Sequence, residues 1–149
     1  MSIADLGSYT LDTDGVSLLN SNAVFDTYVE GTLSTSLFGP YPSTVPIVIK
    51  YTKYGKQVTV HFPKVTAGSV ASSGIQVTAT LPVGFRPNGT ITEIISTIGG
   101  ALDTDSAFGT IQITSGGVMV ISFGTPSVPF PIALSAGFFS FAVSFATSS

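Results

Sequence analysis

Apolar and polar residues alternate with a period of two along most of this chain, and this limits what it can fold into. Ile75-Gln76-Val77-Thr78-Ala79-Thr80-Leu81 puts Ile75, Val77, Ala79 and Leu81 on one face of an extended segment. Phe139 to Phe145 repeats the pattern, with Phe139, Phe141, Val143 and Phe145 on one face and Ser140, Ala142 and Ser144 on the other. No run of ten or more residues carries a helical stripe. Strands of this kind bury their apolar set only by laying one sheet face against another.

The turn signals agree. Ile47–Thr52 and Gln57–Phe62 flank Lys53-Tyr54-Gly55-Lys56, a hairpin with glycine in its turn. Thr110–Thr114 and Val118–Phe123 flank Ser115-Gly116-Gly117, a second hairpin. Thr90–Ile98 is a further β-branched run. In the N-terminal third, Ser8–Leu11, Val16–Leu19, Ala23–Val29 and Thr32–Phe38 are candidate strands. The segment from Phe38 to Pro46 holds three prolines in seven residues and reads as a linker, since proline cannot donate to a central ladder. The expected architecture is all-β, an antiparallel β-sandwich of jelly-roll type. The expected division is a β-rich segment with its linker over 1–45 and a sandwich domain over 46–149.

Charge is scarce and unevenly placed. Only 9% of the 149 residues are charged, while serine and threonine together number 39. The first 49 residues carry five acids and no base, Lys50, Lys53, Lys56 and Lys64 gather around the single histidine, and Ser106–Ser149 carries no charge at all. Such an uncharged stretch is unusual for ordinary surface, which normally intersperses charges of both signs. It fits hydroxyl-covered outer faces, or burial against identical copies, since obligate interfaces are depleted in charge. Phe139, Ser140, Phe141, Ala142 and Ser144 are the interface candidates. The apolar run Ile132–Ala146 is too short and too interrupted for a membrane span and reads as core. The acidic balance argues against nucleic acid as a partner. The absence of cysteine excludes disulfides and Cys-ligated zinc.

Catalytic constellations are thin. His61 lies in a strand, no serine sits in a G-x-S-x-G elbow, and no cofactor motif is present. Asp12-Thr13-Asp14-Gly15 starts like a calcium loop but lacks the later ligands, and Asp103-Thr104-Asp105 reads as turn chemistry. Neither a metal nor a catalytic site is expected. The lysine hairpin could bind acidic groups, or protect a strand edge from pairing. In Pro82-Val83-Gly84-Phe85-Arg86-Pro87, two prolines bracket a rigid loop, Gly84 permits positive φ, Phe85 can anchor the loop, and Arg86, the only arginine, can tie carbonyls or a carboxylate.

Three segments carry a family likeness. Tyr51–Val60 is an aromatic-rich strand, a glycine turn and a Val-Thr-Val strand; Leu81–Pro87 is a leucine-proline, glycine, aromatic, arginine-proline segment; Phe108–Val120 is a late hairpin. With these, residues 47–145 resemble the C-terminal head domains of trimeric phage tail-fibre and receptor-binding proteins, and related fibre heads of large DNA viruses and their satellites. The late turn departs from the family's usual Asp-Gly or Asn-Gly. About 45 non-repetitive residues stand where a fibre carries a shaft, as in a small self-contained virion protein or an excised head. The resemblance implies a non-enzymatic homotrimer at the virion surface. Its partners would be other virion proteins and a host-surface glycan or protein receptor. Tyr41, Tyr54, Asn88 and Asp103 are the expected contacts, at loop tips and clefts. The alternative is a soluble carbohydrate-binding β-sandwich module.

Overall fold

The computed structural model describes residues 28–100 and 106–147 in full, and 9–12 and 15–18 as backbone. Among these residues there is no helix. β1 (Tyr9–Asp12) and β2 (Gly15–Leu18) form a small antiparallel hairpin of their own. The Asp103 triplet, Thr13–Asp14 and most of the Ala23–Val29 segment lie outside the described residues.

Ten strands make one antiparallel sheet. They are β3 (Tyr28–Phe38), β4 (Val45–Tyr54), β5 (Gln57–Phe62), β6 (Val65–Ala67), β7 (Ile75–Val77), β8 (Ile91–Gly100), β9 (Ser106–Ile113), β10 (Met119–Ser122), β11 (Ser135–Phe138) and β12 (Phe141–Ala146). Their order is β12-β5-β4-β3-β7-β10-β9-β8-β11-β6. The sheet curls until its ends approach. Phe62 of β5 stacks on Phe141 of β12 at 4.6 Å, and Phe138 of β11, near the other end, meets Phe62 at 6.0 Å and Phe141 at 5.5 Å. Offset and edge-on ring pairs of this kind add to the area they bury. The curled halves enclose a single core that includes Leu37, Ile49, Val60, Ile75, Ile111, Ile121, Phe130 and Phe138. Each such side chain contributes roughly 1.5–3 kcal/mol by leaving water.

The alternation and the hairpins hold, but three boundaries differ. First, β3 is an inner strand between β4 and β7, paired with β4 from Tyr28↔Tyr54 to Leu37↔Val45. A division after residue 45 therefore does not separate residues 28–38 from the sheet. Pro46 sits inside β4, opposite Ser36, where its exposed ring faces outward at the strand's start. Second, the ladder of the Ile75 segment ends at Val77. Beyond it the Thr78 N–H donates to the Ser36 carbonyl at 2.8 Å and the Ala79 N–H to Thr35 Oγ1 at 3.0 Å, so a hydroxyl replaces a ladder carbonyl. Third, the Phe139–Phe145 run is not one strand. The chain passes at Phe139-Ser140 from β11, beside β8, to β12, beside β5. One strand cannot follow two non-adjacent partners, so the run breaks there.

Candidate functional site

The structure brings two of the expected contact residues to one end of the sheet and separates the others from them. Tyr54 stands at the tip of the β4–β5 hairpin, whose Gly55 has φ 63°. It pairs with Tyr28 on one side and Gln57 on the other. Gln57 pairs with Ala146, whose carbonyl accepts from the Asn88 N–H at 3.3 Å. Tyr28, Tyr54 and Asn88 are all exposed. The Tyr28 hydroxyl donates to Glu30 Oε2 at 2.9 Å, and that bond raises the Tyr28 phenol above its ordinary value.

Tyr41 does not belong to this surface. Its ring is buried and its hydroxyl donates to the Ala136 carbonyl at 2.9 Å. Burial also pushes its phenol well above the ordinary tyrosine range. A tyrosine with its body in the core and its hydroxyl spent on a backbone carbonyl has nothing left to offer a ligand, so Tyr41 is a core residue here. Asp103 lies outside the described residues.

The loop after Leu81 closes the same end. Gly84 takes φ 95°, and its carbonyl accepts from Lys53 Nζ at 2.9 Å. Phe85 packs on Tyr51 with centroids 4.6 Å apart, and Lys53 Nζ lies 5.6 Å from its ring centre. Arg86 Nε donates to the Leu81 carbonyl at 2.7 Å and its Nη2 to Thr80 Oγ1 at 3.4 Å, tying the loop to itself. Pro87 bridges to Thr147. Val83 is left almost fully exposed at the apex.

The outer face of β3-β4-β5-β12 is rich in hydroxyls, and its charges, Glu30 and Lys50, sit on β3 and β4 rather than on β12. Register sets Glu30, Thr52, Thr59 and Ser144 in one row and Thr32, Lys50, His61 and Ala142 in the next. Thr59 and Ser144 hydroxyls hydrogen bond across the strands at 2.9 Å. The small side chains expected on β12, Ala142 and Ser144, are exposed on this face. Phe141 is half-buried and turned inward onto Phe62.

A second feature is a groove of about 550 Å³ on the outer side of β8. Ser96 and Ile94 of β8, Phe108 and Ser106 of β9, and the Phe139-Ser140 crossing line it. Ile94 and Phe108 are more than half exposed. Lys64 Nζ lies 5.2 Å from the Phe139 ring centre. Sequence reasoning missed Ile94, Ser96 and Phe108 as site residues. A signal existed: Ile94-Ile95 puts isoleucine on both faces of one strand, and only Ile95 reaches the core.

No protein-family model matches this chain, and no curated protein matches it. Solved structures do match its fold. The crystal structure of a reovirus attachment protein, sigma1, in complex with α-2,3-sialyllactose superposes with a TM-score of 0.58 at 13% identity. The match covers 98% of this chain and 89% of that one. At that identity the likeness is one of fold. The chain is an all-β domain that shares the fold of that attachment protein.

Proposed function

We propose that this chain is the head of a homotrimeric fibre on a virion surface and that it attaches the particle to a host-surface glycan. The observation that carries this reading is the fold likeness to a viral attachment protein over nearly the whole chain. That protein is bound to a sialylated sugar in its structure, which supports a glycan as the receptor class. The charge distribution supports the trimer. Ala142 and Ser144, small and exposed on β12 within the uncharged stretch after Asp105, suit close approach of a second sheet, and obligate interfaces are depleted in charge. Tyr54 and Asn88 remain the proposed contacts at the hairpin end, where aromatic and amide groups give the polar, shallow recognition that sugars require. Pro82, Gly84, Phe85, Arg86 and Pro87 hold the loop that leads into Asn88 beside that hairpin. No residue is assigned a catalytic role.

The test has two parts. Light scattering of the purified chain is expected to give about three times 15.3 kDa, and a monomer at micromolar concentration would overturn the assembly. The soluble protein is expected to bind susceptible host cells and to lose that binding after enzymatic removal of surface glycans. Unchanged binding would point to a protein receptor. A monomer that still binds sugars would favour the soluble carbohydrate-binding module instead.

A further inference from the structure

We infer that the groove over Ser96 is a binding site for a neutral hexopyranose unit of a glycan. This deepens the attachment reading and rests on it. The groove exists because β8 outlasts its neighbour. Their last ladder pair is Thr97↔Phe138, and the Phe139 N–H still reaches the Ser96 carbonyl at 3.1 Å before the chain turns off toward β12. β8 runs on to Ile91, with β9 on its other side, and no described strand pairs with it between 91 and 95 on the β11 side. Antiparallel alternation aims every second residue's peptide groups at the same neighbour, so the N–H and C=O of Ile94 face the groove as the carbonyl of Ser96 does. An uncovered strand edge is a ready set of hydrogen-bond partners.

The side chains complete a saccharide-like complement. Ser96, Ser106 and Ser140 each offer a hydroxyl that both donates and accepts, which matches sugar hydroxyls. Phe108 and Phe139 offer ring surface to the C–H face of a pyranose. Ser96 is paired with Phe108 across the strands and Ile94 lies diagonal to it, so the hydroxyl and the apolar surface are adjacent. The volume falls within the roughly 300–1,000 Å³ usual for small-molecule sites. Among the described residues, none that lines the groove is charged. A carboxylate lying against Ile94 and Phe108 would lose its hydration there, since the one cation near the groove among the described residues, Lys64, stands over the Phe139 ring at the crossing, whereas a neutral sugar avoids the cost of desolvating a charge. Ile94 and Phe108 gain nothing for the fold by standing in water, which fits surface reserved for a ligand.

Saturation-transfer NMR on the full chain, with lactose, maltose and α-2,3-sialyllactose as probes, tests this. A neutral disaccharide is expected to bind, with sialyllactose no tighter than lactose. Phe108→Ala and Ser96→Gln, checked for wild-type circular dichroism, are each expected to weaken it at least tenfold. Val70→Ala, an exposed side chain in the charge-free loops at the other end of the sheet, should leave the affinity unchanged. The inference is overturned if neither neutral disaccharide binds, or if both groove variants bind as wild type. It also fails if Phe108→Ala dissociates the oligomer, because the groove is then an interface between copies. Binding of sialyllactose alone, indifferent to the groove variants, would sink this inference while leaving glycan attachment standing. A monomer that binds no sugar would end both.

Discussion

The two ends of the sheet close their loops with opposite chemistry. At the hairpin end the ties are cationic: Lys53 Nζ donates to the Gly84 carbonyl and Arg86 Nε to the Leu81 carbonyl. At the other end, where Gly39–Val45, Gly68–Gly74 and Gly124–Leu134 meet, there is no charged residue. There Ser69 is the hub. Its hydroxyl donates to the Pro131 carbonyl at 2.7 Å and accepts from the Ala133 N–H at 2.7 Å, while its own N–H donates to the Ala133 carbonyl at 3.0 Å. Tyr41 serves the Ala136 carbonyl in the same way, and Pro40 accepts from Val70 and Ala71. Both ends satisfy their polar groups: no buried side-chain nitrogen or oxygen among the described residues lacks a partner. A chain poor in charge can thus lock loops with hydroxyls, provided that they are buried. Ser69 is 6% exposed, whereas Arg86 is only half-buried.

The sharpest way to break this comparison is at its glycines. Gly39 has φ 128°, and a Cβ there would collide with the Gly74 carbonyl, a backbone atom that cannot swing aside. Gly84 has φ 95° but nothing within 4 Å of the added atom. Gly39→Ala is therefore expected to cost more than about 3 kcal/mol, and Gly84→Ala only about 1–2 kcal/mol of backbone strain. Urea denaturation at one protein concentration measures both, and equal losses would contradict the distinction.

Next in size is the hub. Ser69→Ala takes the hydroxyl away from two part-buried groups at once, the Ala133 N–H and the Pro131 carbonyl, for an expected loss of about 2–4 kcal/mol. Arg86→Met keeps the stem but removes a charged donor from a more open loop, for about 1.5–3 kcal/mol. If the arginine variant were clearly the worse of the two in the same urea titration, burial would not be what gives the neutral end its strength.

The smallest effect is the most specific. Tyr41→Phe should cost about 1 kcal/mol at neutral pH. The Tyr41 phenol is raised in the fold, so the unfolded chain gives up that proton first, near its ordinary value of 10.0. Its contribution is complete below that pH and declines above it, by about 1.4 kcal/mol per pH unit. The gap between wild type and Tyr41→Phe should therefore narrow above pH 10.0, and then reverse. A constant gap would mean that Tyr41 is not buried as described.

Much of the fold was legible because it rests on local chemistry. Ile47–Phe62 and Thr110–Phe123 form hairpins since glycine supplies positive φ where each turn needs it, at Gly55 and Gly117. In the loop from Pro82 to Pro87, Gly84 supplies a positive φ and Arg86 reaches back only to Leu81 and Thr80, so those two roles could be read from neighbours a few residues away, unlike the loop's ties to Lys53, Tyr51 and Thr147. Tyr41 was misread because proline-rich surroundings look like a surface loop, and only Ala136, distant in sequence, shows that the ring is inside.

The sequence by itself determined that the chain is all-β, which faces of its strands are apolar, where its turns fall, and that charge is lacking after Asp105. These follow from the two-residue repeat and from the backbone preferences of glycine and proline, properties of adjacent residues. Only the tertiary structure decided that β3 lies inside the sheet, that the chain crosses from β11 to β12 at Phe139-Ser140, and that the crossing leaves an edge of β8 uncovered beside Phe108. Strand order depends on which distant segments pair, and a period of two is the same whichever neighbour a strand takes.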